Sequence, residues 1–402
     1  MMCYFFPPIH SVGTYRSVGF AQHLQELGWT PTVLSVTKTR IPWERSTAPV
    51  PDGVDIVRAT ELPLHGASAF YDAVLNKVFR FVGARTTPGF LGLSDWVPDP
   101  QVAWLSRRAA MRLARQSDCV YVSCSPFSAA VTGAIVARRC RKPLVLDFRD
   151  PWQGDGPQRR FERWAIERAD ALILNTPRAM TAYADRFPRL ASRMVVIPNG
   201  FDGAVEPRPA VRRTGTFTIM HVGEFYGSRR PDTLLEVLAD LNLPDVEFVQ
   251  VGPALDSFDR FSSRLRFRHH RTVPREDALA LMRSASLLYL KLHSDTVYAP
   301  FAVPAKTYEY LSSGVPVLAE CWPGDASNLI RDYGIDAEIV APDQRDQLRT
   351  AVERAYLRRR DPVGGVHPLF IERYNRRALT VRLAAVLDAV VTGREPGALT
   401  WP

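Results

Sequence analysis

Lys306 and Glu309 stand three residues apart in VPAKTYEYLSSGVPVLAE, the stretch from Val303 to Glu320. That spacing puts both on one face of a short helix, Lys306 to Ser312. The ammonium falls beside the helix N-terminus, where a cation and exposed backbone N–H groups together suit a phosphate. A carboxylate one turn on suits a pair of sugar hydroxyls. Charge for a diphosphate and an acceptor for a ribose make the polarity of a nucleotide site, although the same spacing also describes a plain surface ion pair. Gly314 suits the left-handed residue that ends a helix, and Val317-Leu318-Ala319 then reads as a strand.

Two glycine loops carry further chemistry. Phe217 to Val222 reads as a strand, followed by Gly223-Glu224-Phe225-Tyr226-Gly227-Ser228-Arg229-Arg230 and a helix from Pro231 to Leu241. Strand, glycine loop and a basic pair at a helix start form a phosphate site by their physics. Near the start of the chain, the strand Cys3–Phe6 leads through His10 to Gly13 and a helix from about Tyr15 to Leu27, which includes Arg16. A loop at the carboxyl end of a strand faces the crevice where open α/β sheets bind ligands. The buried strand Pro143–Asp147 ends in DFRDPW, which sets Asp147, Arg149 and Asp150 at such an edge. Arg149 suits a phosphate and either aspartate suits a hydroxyl proton; a buried Arg–Asp pair fixing the loop is the other reading.

The elements that must hold these loops alternate between strand and helix along most of the chain, which predicts parallel α/β sheets. A length of 402 residues exceeds one ordinary core, so two domains are expected. The boundary falls in GAVEPRPAVRRTG, residues 203–215, which is rich in Pro and Arg and lacks apolar periodicity. The expected division is 1–202, the 203–215 linker, 216–375, and a closing segment 376–402 with an apolar helix from Leu379 to Val391. Apolar residues make up 46% and charged ones 23%, ordinary for a globular protein. Five scattered cysteines lack metal-ligand spacing and read as reduced thiols. The opening MMCYFFPPIH lacks a basic stretch and reads as a first strand rather than a targeting signal. No apolar run reaches the length of a membrane span.

The net charge of +9 is unevenly placed: residues 1–200 hold 25 Lys+Arg against 16 Asp+Glu, while the remainder balances at 26 each. Such asymmetry suggests an anionic partner for the first half. No nucleic-acid-binding motif accompanies the arginines, so an anionic membrane surface or a phosphate-bearing lipid fits better than nucleic acid. The segment Phe70–Arg85 has a helical apolar stripe flanked by Lys77, Arg80 and Arg85, which suits a core helix or an interfacial one.

Four stretches, VPAKTYEYLSSGVPVLA, VVIPNGFD, LDFRDPW and HVGEFYGSRRPDTLL, together resemble the retaining family 4 (group 1) glycosyltransferases of bacterial polysaccharide biosynthesis. The resemblance covers about residues 2–390. It implies a GT-B fold: two Rossmann-like domains facing across a cleft, with a C-terminal helix crossing back to the first. By that likeness Gly223, Arg230, Lys306 and Glu309 bind the donor, Glu309 holding its ribose. His10, Gly13, Arg16 and Asp147 then line the cleft floor and acceptor side, with Arg149 and Asp150 the candidate catalytic residues. Phe301 occupies the position of a second carboxylate that the family often carries, and Glu224 stands where a further basic residue is usual. The implied reaction is retaining transfer from a nucleoside diphosphate sugar to a glycan or polyprenyl-linked acceptor, in the cytoplasm at the inner face of the membrane. No metal and no cofactor beyond the donor substrate are expected. A nucleotide-sugar epimerase of the same fold and a non-catalytic partner subunit are the rival readings.

Overall fold

The computed structural model describes residues 1–9, 11–36, 48–59, 100–124, 126–152, 157–205, 211–212, 215–292 and 299–398. His10, the Phe70–Arg85 stripe and much of the 203–215 linker lie outside these residues. The chain forms two compact units, Met1–Pro198 with Leu379–Pro402, and Asn199–Ala378.

The first unit is built on seven parallel strands: β1 (Met2–Cys3), β2 (Thr32–Val36), β3 (Asp55–Ala59), β4 (Val120–Cys124), β5 (Leu144–Phe148), β6 (Ala171–Leu174) and β7 (Met194–Val196). Their order is β3-β2-β1-β4-β5-β6-β7, so the direction of winding reverses between β1 and β4. Val122, Leu144 and Leu146 face one apolar layer, while Tyr121, Val145 and Ile173 face the other. Burial on both faces explains strands that read as continuous apolar runs. Helices α1 (Val12–Glu26), α2 (Pro100–Arg115), α3 (Ser128–Cys140), α4 (Pro157–Ile166) and α5 (Pro177–Arg186) connect them. The first strand is shorter than the apolar run Cys3–Phe6, because Tyr4 to Pro8 leaves the sheet as a turn closed by Ile9 N–H donating to Phe6 O. Ser11 starts α1 three residues earlier than its apolar pattern, its side chain accepting from Gly13 N–H at 3.3 Å.

The second unit begins with β8 (Val211–Arg212) and contains six parallel strands: β9 (Phe217–Val222), β10 (Val246–Val251), β11 (Arg266–His270), β12 (Leu287–Lys291), β13 (Val317–Glu320) and β14 (Glu338–Val340), in the order β11-β10-β9-β12-β13-β14. The switch point lies between β9 and β12. A two-residue strand β15 (Pro362–Val363) pairs antiparallel with β8. Around the sheet run α6 (Asp232–Leu241), α7 (Arg275–Ser284), α8 (Ala305–Ser313), α9 (Asp325–Tyr333), α10 (Arg345–Leu357) and α11 (Pro368–Tyr374). Helix α8 packs against α7, α9 and α11. The chain then leaves this unit inside α12 (Arg376–Val391), whose Leu379, Leu383, Val386, Leu387 and Val390 complete an apolar layer of the first unit. Among the described residues, no helix is long and apolar enough to cross a membrane.

One buried ion pair ties the first unit's α1 to its sheet. Arg16 is 2% exposed and Asp147 fully buried, and the guanidinium meets the carboxylate with both Nε (2.9 Å) and Nη2 (2.8 Å). Arg16 also donates to Pro198 O and Ile197 O, and Tyr121 donates its hydroxyl to Asp147. Removing one member leaves a buried charge uncompensated. Arg16→Ala is expected to destabilise the protein by about 3–5 kcal/mol, read as a lowered urea midpoint; an unchanged midpoint would contradict this role.

Candidate functional site

The carboxyl end of β9 and the start of α8 bring a cation against backbone. Gly223 follows β9 with φ of 118°, and a Cβ built there would lie 2.9 Å from Lys306 Nζ. Only glycine combines that backbone conformation with so close an approach. Lys306 Nζ donates to His221 Nε2 at 3.1 Å. His221 and Gln250 are register partners on β9 and β10, with His221 Nδ1 2.9 Å from Gln250 Oε1. The Gln250 amide nitrogen in turn donates to Gly223 O at 2.7 Å. Among the described residues, Lys306 forms no ion pair. Its partial burial, reinforced by the charge of Arg229, lowers its pKa to about 8 against the pull of Glu309 and Glu224. Burial and the neighbouring ammonium also hold His221 well below the usual histidine range, so its imidazole is neutral.

Glu309 lies one turn along α8 and is half-buried. It accepts from Arg275, at the start of α7, with Nε at 3.0 Å and Nη2 at 2.9 Å. Both contacts fall on Oε1; among the described residues none falls on Oε2, which leaves that oxygen for a hydroxyl. Arg275 also approaches Asp202 at 3.6 Å, and Asp202 pairs with Arg376 at 2.8 Å. Lys306, Gly223 and Glu309 are thus assembled in one place. The arginine whose charge reaches Lys306 is Arg229, stacked over Tyr226 at 4.7 Å. Arg230 is 46% exposed and turns to Asp232 at 2.9 Å, at the N-terminus of α6.

In the first unit Gly13 and Arg149 meet. A Cβ at Gly13 would fall 1.4 Å from Arg149 Nη1, so the guanidinium lies directly on the glycine. Arg149 Nε donates to Cys124 O at 3.2 Å, and its guanidinium sits 5.1 Å from the Phe5 ring centroid. Its backbone carbonyl accepts from the side chain of Asn175. Asp150 beside it is exposed. These groups stand at the carboxyl ends of β1, β4 and β5, next to the switch point, where parallel sheets bind ligands.

Arg16 and Asp147 correct the expectation from sequence. They are not acceptor-facing groups, because each spends its hydrogen-bonding capacity on the other and on Tyr121 and the backbone inside the unit. Sequence reasoning passed over His221, Gln250 and Arg275. The signal for the first two is a polar residue inside an apolar strand, two places before a glycine, in HVG and again in QVG. Lys291 and Glu320, polar residues that end the apolar strands β12 and β13 without a following glycine, are register partners and form a buried ion pair, with Asp343 also on the ammonium. Among the described residues, no three His, Cys, Asp or Glu side chains come together as metal ligands.

Residues 17–204 match the family model described as Glycosyltransferase Family 4, and residues 229–362 match one described as Glycosyl transferase-like. In fold, the chain is similar to a glycosyltransferase from Rickettsia africae (TM-score 0.62, 10% identity, covering 96% of this chain and 97% of that one). It is also similar to the lipopolysaccharide outer core galactosyltransferase WaaB (TM-score 0.60, 12% identity, 97% and 98% covered). A third likeness is to HepE from Anabaena, solved with UDP-glucose (TM-score 0.55, 17% identity, 93% and 95% covered). A search of curated proteins finds no match.

The lowered pKa of Lys306 has a consequence for stability. Between about pH 8 and the ordinary value of 10.5, the folded chain gives up a proton that the unfolded chain keeps. Parent stability therefore rises with pH across that window. Lys306→Met removes the cost of charging the ammonium, so the variant is expected to be more stable at pH 7 by about 3 kcal/mol. That advantage should fade as pH approaches 10.5. Urea unfolding at pH 7 and pH 10 checks this; a variant no more stable than the parent at pH 7 would refute it.

Proposed function

We propose that the chain, whose residues 17–204 and 229–362 match glycosyltransferase family models, is a GT-B glycosyltransferase of the family 4 kind that moves a sugar from a nucleoside diphosphate donor to a lipid-linked or growing cell-surface glycan, with retention. The observation that carries the donor assignment is Lys306: a partly desolvated ammonium, set on the Gly223 backbone, with no carboxylate paired to it among the described residues. Such a group is incomplete without an anion. A diphosphate completes it, aided by Arg229 and Arg230, and Glu309 accepts from the ribose hydroxyls through the oxygen that Arg275 leaves open. HepE, which shares the fold, is described with UDP and UDP-glucose; that supports a nucleotide ligand here.

Retention is read as a front-face displacement in which the departing phosphate helps to deprotonate the acceptor hydroxyl. Catalysis then rests on positioning and on stabilising the leaving diphosphate. Lys306 supplies charge to that group as the glycosidic bond breaks. Phe301, in the place of the carboxylate often found there, leaves Glu309 as the acidic contact of α8 with the donor. On the acceptor side, Arg149 is held by Gly13, Phe5 and Cys124 as a fixed cation for an acceptor phosphate, with Asp150 exposed beside it. A phosphate-linked acceptor at an anionic membrane surface, on the cytoplasmic side, suits the basic first half; exposed Arg108, Arg112 and Arg115 on α2 support it. The reading takes the nucleotide sugar as substrate and invokes no cofactor.

Calorimetry with UDP, GDP, ADP and dTDP tests the donor site. One diphosphate is expected to bind selectively. Glu309→Ala should weaken it and its nucleoside alike, by about tenfold, whereas Lys306→Ala should weaken the diphosphate more than the nucleoside. No binding of any diphosphate by the parent would sink the donor assignment. Retention is checked by the anomeric configuration of the product. Gly13→Ala, which must displace the Arg149 guanidinium, should lower turnover roughly 100-fold, as should Arg149→Ala; full activity in both variants would remove Arg149 from the reaction.

A further inference from the structure

We propose that Gln250 and His221 are positioning residues that aim the Lys306 ammonium at the Gly223 loop and so set its grip on phosphate. The inference rests on the donor reading above and adds to it how the cation is held. The geometry fixes the direction of every hydrogen bond in the chain. The Gln250 amide nitrogen is committed to two carbonyls, Gly223 O at 2.7 Å and Pro253 O at 3.4 Å. Its Oε1 is therefore the acceptor that faces His221, and His221 Nδ1 must carry the hydrogen. That leaves Nε2 with a lone pair, 3.1 Å from Lys306 Nζ, as an acceptor for the ammonium. The opposite tautomer would set an N–H against an ammonium.

His221 cannot turn away from this role. It is 1% exposed, its ring stacks on Phe225 with centroids 3.7 Å apart, and Gln250 is fully buried. A neutral acceptor holds the lysine without cancelling its charge, which a carboxylate at the same distance would do. Gln250 bonds both to the imidazole and to the carbonyl of Gly223, so the same side chain registers the cation against the loop that it serves. Among the described residues, the charged groups facing Lys306 are Arg229 and Glu224 from that loop and Glu309 from α8, and the one facing His221 is Lys306 itself.

The consequence is a dependence of phosphate binding on pH that these residues control. Below the lysine's pKa of about 8 the ammonium is present before the ligand arrives; above it, binding must take up a proton. Affinity for a diphosphate is then expected to fall roughly tenfold per pH unit above the break, while affinity for the nucleoside stays flat. In Gln250→Leu the imidazole is free to take the other tautomer, and in His221→Leu the acceptor is gone. Each variant should lose about tenfold in UDP affinity relative to uridine at pH 7, and should move the break to lower pH because the ammonium has lost its acceptor.

Calorimetry with UDP, uridine and inorganic pyrophosphate from pH 6.5 to 9.5 reads these effects. Parent-like UDP-to-uridine ratios and an unmoved break in the variants would overturn the positioning role, while loss of binding in Lys306→Ala would leave the donor site standing. Failure of the parent to bind UDP or pyrophosphate at all would instead strike the donor reading. Nitrogen-15 NMR of the histidine-labelled parent needs no variant. The Nδ1–H form of His221, unchanged across this range, is expected; the Nε2–H form would refute the relay.

Discussion

A cation drawn partly out of water, with no carboxylate paired to it among the described residues, is the constraint around which the second unit is arranged. Water would solvate Lys306 better than its surroundings do, and its lowered pKa records the difference. The structure offsets this with neutral partners: a histidine lone pair, and a backbone made approachable by the missing Cβ of Gly223. A carboxylate would stabilise the lysine more and would also occupy it. An ammonium kept under-satisfied would gain more from a new anionic partner than one already paired with a carboxylate.

The first unit treats its two arginines in opposite ways. Arg16 is closed off with Asp147 in a bidentate pair that locks α1 onto β5. Arg149 has its Nε on a backbone carbonyl and its face near an aromatic ring, and it lies on a glycine. One guanidinium is spent on the fold and the other is held in place at the sheet's carboxyl edge.

That division explains what could be read in advance. Alternating strands and helices, the glycine loops and the switch-point edges follow from local patterns, and the parallel sheets match them closely. The neighbourhood of Lys306 and Glu309 is equally local, since both ride one helix. Arg16 and Asp147 were misplaced because a polar residue at a strand end reads the same whether it turns outward or inward; 131 residues separate the partners that decide it. His221 and Gln250 were passed over for the converse reason. A polar side chain within an apolar strand has meaning only once β9 and β10 are paired in register. Arg229 and Arg230 are adjacent, and only the turn before α6 determines which of them faces the lysine.

The placement of α12 bears on how the protein is made. Its Leu379, Leu383, Val386 and Val390 finish an apolar layer whose other members, such as Phe20, Val33 and Ile173, leave the ribosome some two hundred residues or more earlier. The second unit is continuous in sequence and can close as soon as it has emerged, whereas the first must wait, with one side of its sheet uncovered, for a helix translated after the second unit is complete. During that interval the nascent chain exposes aliphatic surface of the sort that chaperones shield. Assembly of this protein is consequently ordered against the direction of synthesis, with the domain encoded first the last to be sealed.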